Sequence, residues 1–189
     1  MQTVENWRVY GLPESVRASK YPMAVNTYAC TTEITTRTES LASCPMGTGH
    51  DQFLTGIVVQ FDLTLSLKAW VEAQRYHFLD FVSSQSTIHR IMQMDIDNQC
   101  NSYVTTEAVE NIERLVRRYK DDPSDENYRA VLYNIPAGFK YTARMTTNYR
   151  QLKTIYHQRR RHRLPEWHDI CDWIEELPYS ELITGRETE

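Results

Sequence analysis

Apolar and polar positions alternate across Ile57–Leu63 (IVVQFDL). β-Branched and aromatic residues recurring at that period predict a strand. From Ser66 the period changes. Leu67, Trp70, Val71, Gln74, Phe78, Phe81 and Val82 fall on one stripe at helical spacing, which predicts an amphipathic helix over 67–82. Lys68, Glu72 and Arg75 lie on another face, although Leu79 joins them. The pattern then stops at Ser83-Ser84-Gln85-Ser86-Thr87, followed by His89 and Arg90. Hydroxyl and amide side chains in a row do not build a core. They can hydrogen-bond an anion that Arg90 neutralises, or they can cap the next helix.

The flanking pattern is weaker on the N-terminal side. Residues 1–21 carry few apolar positions and read as an arm with one short strand. Residues 23–30 fit either a strand or the start of a helix, and a short helix is predicted at 39–43. Residues 45–50 (PMGTGH) read as a loop with two glycines free to take unusual backbone angles. Residues 95–103 are polar and read as a loop; they lack the glycine and closing glutamate of a calcium loop. Beyond them the signals sharpen. Thr106 caps a helix over 107–119 with Val109, Ile112, Val116 and Tyr119 on one face. Ser124 caps a short helix through Leu132. A second strand is predicted over 140–146. Thr146 or Thr147 then caps a long helix from Asn148 to about Arg160. Pro165 opens a last helix through Leu177. Strands and helices mix without a βαβ rhythm, so the expected fold class is α+β in a single domain over 1–189, with mixed helices and a small antiparallel sheet.

Composition narrows the function. With 41% hydrophobic residues in 189, the chain can bury a core. A formal net charge of −4 argues against a general nucleic-acid binder. Cys30, Cys44, Cys100 and Cys171 form no zinc spacing, and no segment reads as a leader or a membrane span. The expected setting is therefore the cytoplasm, with free thiols. Residues 178–189 read as an acidic tail.

Arginine density supplies the chemistry. Asn148 begins a helix, where free backbone N–H groups favour an anion. Arg150 sits in the first turn and Arg159 about 13 Å further along the axis. Arg160, Arg161 and Arg163 read instead as a solvated basic cluster. No serine–histidine–acid or cysteine–histidine arrangement emerges from spacing, so no catalytic nucleophile is named.

These residues also carry a resemblance. Asn148-Tyr149-Arg150-Gln151-Leu152, then Arg159, then Leu164-Pro165-Glu166-Trp167 with Ile170 resemble the C-terminal N-x-R-x-L pattern, trailing arginine and final helix of the flavin-dependent thymidylate synthase (ThyX) family. Arg129, ahead of Ile135-Pro136 and Thr146, resembles that family's R-x-x-L-P with a short insertion. Centrally, Ser83 and Arg90 match the first serine and last arginine of the R-H-R-x-x-S…S-x-R signature. The R-H-R itself is absent, with Arg75-Tyr76-His77 as a substitute. Ser86 stands where the family has glutamate, and Ile88 where it has the second serine. The resemblance covers about 50–177.

It implies a ThyX-like fold assembling as a homotetramer with sites between subunits. It also implies transfer of a one-carbon unit from methylenetetrahydrofolate to deoxyuridylate (dUMP), with reduced FAD as hydride source. Arg90, Ser83, Ser84, Arg129, Arg150 and Arg159 would bind substrate, and Arg75, His77 and Asn148 would meet the flavin. No metal is implied. The departures from the signature leave a second expectation open: a non-catalytic nucleotide-binding or protein-interaction module on the same scaffold.

Overall fold

The structure is a computed structural model that describes residues 2–45 and 47–185. Met46 of the 45–50 loop and residues 186–189 of the acidic tail lie outside the described residues. In chain order the helices and strands are β1 (Val4–Tyr10), α1 (Leu12–Ala18), α2 (Thr36–Ala42), β2 (Val58–Ser66), α3 (Leu67–Ala73), β3 (Asp80–Ser84), α4 (Thr87–Arg90) and α5 (Ile96–Gln99). There follow α6 (Thr106–Asp121), α7 (Asp125–Tyr133), β4 (Lys140–Asn148), α8 (Tyr149–Arg159), α9 (Pro165–Glu175) and α10 (Glu181–Thr184). The four strands form one antiparallel sheet in the order β1-β2-β4-β3. The α+β expectation holds.

β2 and β4 are the central pair, in continuous register from Val58 opposite Asn148 to Ser66 opposite Lys140. Val59, Phe61, Leu63 and Leu65 share one face by the period of two and are all buried. They meet α8 and α9, and the Phe61 ring lies 4.6 Å from that of Trp173. A second, smaller core gathers Ile91, Ile112, Val131 and Phe139 among α4–α7.

The local signals behave as read where the chemistry is local. Ser124 caps α7 by accepting the N–H of Asn127, and Pro165 occupies the first turn of α9. Three capping or boundary expectations shift slightly. Thr105 rather than Thr106 caps α6, Asn148 itself caps α8, and residues 96–99 form a helical turn inside the expected loop.

Four longer-range expectations are corrected. The predicted helix over 67–82 ends at Ala73, and residues 80–84 form β3 along the open edge of β4. The apolar run 78–82 fits either period, and the unpaired backbone of β4 decides it. Phe78, Phe81 and Val82 are consequently exposed instead of buried. The N-terminal arm is an edge strand plus α1, with Val4 and Val16 in the interior. In place of a strand or helix start over 23–30, short 3₁₀ turns span Tyr21–Met23 and Thr27–Ala29. The tail is not wholly solvated, because Leu182 and Ile183 of α10 are buried in the main core. None of the described helices is long and apolar enough to cross a membrane. All four cysteines are free, and burial pushes the Cys171 thiol up to about 12.

Candidate active site

α8 is the spine of the site. Tyr149, Leu152, Ile155 and Tyr156 face the core, which leaves the opposite stripe Gln151, Thr154 and Gln158 at helical spacing. That polar stripe floors a cleft of about 640 Å³, walled by the end of α3 and the turn after it: Glu72, Arg75, Tyr76, His77 and Phe78. A second hollow of about 390 Å³ shares Phe78, Gln151 and Thr154 with the first. It continues toward the start of α8, where Asn148 and Arg150 line it together with Gly47, Gln52 and Thr55. The two make one trough along α8. Phe78 stands on its rim, 62% exposed. Thr147 fixes that turn by donating its hydroxyl to the Phe78 carbonyl at 2.6 Å.

Arg159 closes one end of the trough. It is only 3% exposed. Its Nε donates to the Tyr76 hydroxyl at 2.7 Å, and its terminal nitrogens reach a Glu72 carboxylate oxygen at 3.4 Å and the Glu72 carbonyl at 3.2 Å. The guanidinium lies 4.5 Å from the centroid of the Trp167 ring, a cation–π geometry. Tyr76 in turn donates its hydroxyl to the side-chain amide oxygen (Oε1) of Gln158 at 3.1 Å. Burial raises the Tyr76 hydroxyl above its ordinary range, against the pull of Arg159. The Lys68 ammonium, with Arg159 adding to it, holds the Glu72 carboxyl below the usual carboxylate range. His162, also on the cleft, accepts the Leu164 N–H at Nδ1, which places its ring proton on Nε2. Burial first, and the Arg159 charge second, lower its pKa and so favour the neutral ring.

Arg150 occupies the other end. Its Nε donates to Asp51 at 3.1 Å, which leaves its terminal nitrogens to the hollow. Asp51 is fully buried, and its other oxygen meets Lys153 Nζ at 3.1 Å. Lys153 is buried too, and it also donates to the carbonyls of Ala42 and Cys44. Lys153 thus ties the end of α2 and the start of the loop after it to α8, and Asp51 neutralises it.

Of the nine residues singled out from the sequence, five gather on this trough: Arg75, His77, Asn148, Arg150 and Arg159. Asn148 contributes chiefly as a cap, accepting the Gln151 N–H at 2.9 Å. The other four do not line it. Ser83 and Ser84 are exposed on β3 opposite Arg144 and Ala143, and Arg90 is exposed at the end of α4. Arg129 is on α7, paired with Asp125 on the surface. The serine-rich segment includes one plain cap, Ser86 at the start of α4. Sequence reading missed Glu72, Tyr76, Gln158, Asp51 and Lys153. The Gln151–Thr154–Gln158 stripe was visible at helical spacing; the acidic partners were not, since each lies far along the chain from the base it meets.

No protein-family model matches the sequence, and no curated protein does either. Solved structures do. The chain is similar to the flavin-dependent thymidylate synthase ThyX from Helicobacter pylori, complexed with FAD and dUMP, at TM-score 0.75 and 16% identity over 96% of this chain and 98% of that one. A second structure of the Helicobacter pylori enzyme with FAD and dUMP matches at TM-score 0.74 and 14% identity, over 95% and 98% of the two chains. The UMP/dUMP methylase PolB from Streptomyces cacaoi, bound with 5-Br UMP, matches at TM-score 0.61 and 13% identity, over 93% and 88%. The fold is therefore that of the ThyX enzymes, at low sequence identity to them.

Proposed function

We propose that this chain is a pyrimidine-nucleotide enzyme that methylates dUMP with FAD as redox cofactor and methylenetetrahydrofolate as one-carbon donor. The observation that carries the reading is the trough along α8, with an arginine held at each end, on a fold whose solved examples hold FAD and dUMP. Arg150, steadied by Asp51, offers its two terminal nitrogens to a phosphate as a planar fork. Arg159 and Tyr76 present donors and an acceptor suited to the edge of a pyrimidine. Arg75 has no ion-pair partner among the described residues and lines the same cleft as the exposed Phe78, a combination that suits a flavin with its pyrophosphate. His77 stands on the same rim, and Asn148 beyond it. Bound there in its reduced form, FAD would supply the hydride. The protein's own part is orientation and exclusion of water.

Ser83, Ser84, Arg90 and Arg129 fit this reading as contributions to a neighbouring subunit's site. β3 is an edge strand with Phe81 and Val82 exposed, and Ile88 of α4 is exposed beyond it. An apolar edge left open invites pairing with another chain. Light scattering is expected to report about four times the chain mass. A monomer at micromolar concentration would remove both the tetramer and the shared site.

Calorimetry tests the nucleotide. dUMP is expected to bind, and Arg150→Ala to weaken it by about tenfold or more. Arg161→Ala, in the exposed cluster, is expected to change it by less than about threefold. Dialysis against excess FAD should leave the flavin absorbance bands with the protein. Retention of dUMP without FAD would favour a binding module over an enzyme.

A further inference from the structure

Gln158 has no part in the chemistry proposed for the trough, yet the fold dictates which way its amide points. It lines the cleft beside Tyr76, Arg159 and His162, and it is exposed there. A glutamine can ordinarily present either end of its amide, because oxygen and nitrogen have nearly the same shape. Here a relay removes the choice. The Arg159 Nε can only donate, and it does so to the Tyr76 hydroxyl oxygen at 2.7 Å. The hydroxyl proton must then go elsewhere, and Gln158, at 3.1 Å, is the hydroxyl's other partner. The amide atom that meets Tyr76 is therefore the acceptor, Oε1. Tyr76 is buried, and its ring packs against that of Trp167 with centroids 5.8 Å apart, so the hydroxyl is held in place. The Gln158 Nε2 has no partner among the described residues, which leaves it as a fixed pair of N–H donors.

Gln151 is the contrast. It lies two turns earlier on the same stripe, lines both hollows and is 8% exposed, and its side chain has no hydrogen-bond partner among the described residues. It can turn either end to a ligand, and Gln158 cannot. The neighbours of Gln158 repeat its sign, since Arg75 and the Nε2–H of His162 also donate. The one carboxylate at this end, Glu72, is already engaged by Lys68 and Arg159.

Arg150 and Gln158 are eight residues apart on α8, about 12 Å along the axis. A nucleotide with its phosphate on Arg150 brings to Gln158 the part of the base furthest from the sugar. In uracil that is the O4 carbonyl oxygen, and in cytosine it is an exocyclic amine. We infer that Gln158, pinned by Tyr76, is the specificity-determining residue that selects uracil over cytosine by donating to O4. A cytosine amine in that place meets the pinned amine donor to donor, and both stay unpaired. The inference rests on the nucleotide reading of the trough and adds to it the residue that chooses the base.

Calorimetry with dUMP and deoxycytidylate (dCMP) tests it on the full chain in excess FAD. The parent protein is expected to bind dUMP about tenfold or more tightly than dCMP. Tyr76→Phe keeps the ring but frees the amide to turn, so the preference is expected to fall below about threefold. Gln158→Glu keeps the length and the acceptor for Tyr76 and turns a second oxygen to the base. It is expected to reverse the preference in favour of dCMP. Each readout is a ratio within one variant, so a general loss of stability or of phosphate affinity cancels. Gln158 is exposed, so Gln158→Glu decides the matter even where Tyr76→Phe fails to fold. Failure of dUMP to bind the parent protein would remove the nucleotide reading and this inference together. Binding of dUMP with equal affinity for dCMP, or a preference that survives either variant, would overturn the inference and leave the nucleotide reading in place.

Discussion

Asp51→Ala is expected to destabilise the protein by about 3–5 kcal/mol, the range for removing one partner of a buried ion pair. Asp51 is fully buried and meets two bases, Arg150 and Lys153. Arg150 is partly exposed and can turn to water. Lys153 cannot do so readily: its side chain is 6% exposed, and its ammonium is held by the Ala42 and Cys44 carbonyls. Deleting the carboxylate would therefore leave a buried ammonium with only neutral acceptors. Urea denaturation measures the loss. Asp51→Asn keeps the volume and one acceptor and should retain part of the stability. It should also loosen Arg150, so dUMP affinity is expected to fall in a variant that still folds. A loss under about 1 kcal/mol for Asp51→Ala would mean that Lys153 reaches water unaided, and that its pairing with Asp51 contributes little.

Arg159→Ala is expected to cost about 3 kcal/mol of stability and to weaken dUMP binding by about tenfold or more. The guanidinium makes charge-assisted contacts to Glu72 and Tyr76 and stacks on Trp167. Its loss would empty the space between α3, α8 and α9 and leave the Tyr76 hydroxyl without its donor. Glu72 sits at the surface and would rehydrate, so most of the cost comes from Arg159's own buried contacts. Arg159→Lys separates the two roles. Lysine keeps the charge but cannot hold the Tyr76 hydroxyl, the Glu72 carboxylate and carbonyl, and the Trp167 face together. It should recover some stability and little affinity. Full affinity in a destabilised Arg159→Ala would make this arginine a structural strut and leave the anion to Arg150 and Arg75.

What the sequence by itself determined is the set of features whose causes lie within a few residues. The strand at Ile57–Leu63 reads from period two, the cap of α7 from Ser124, and the start of α9 from Pro165. Asn148 and Arg150 are a cap and a first-turn residue, so their place at a helix start was legible as well. The resemblance to ThyX rested largely on that same local stretch. Tertiary structure decided the rest. The stripe from Phe78 to Val82 obeys helical spacing and yet forms β3, because β4 offered unpaired N–H and C=O groups that a continued α3 would have left open. The serines of that stretch then became edge-strand and capping residues outside the trough of their own chain. Arg159 looked like a free anion ligand, and the fold gave it Glu72 and Tyr76, more than eighty residues earlier. Asp51 meets Lys153 across a comparable span. Helical and capping preferences are set by backbone sterics and neighbours in sequence. Which carboxylate a buried base meets is set by packing between distant segments, and no local pattern encodes it.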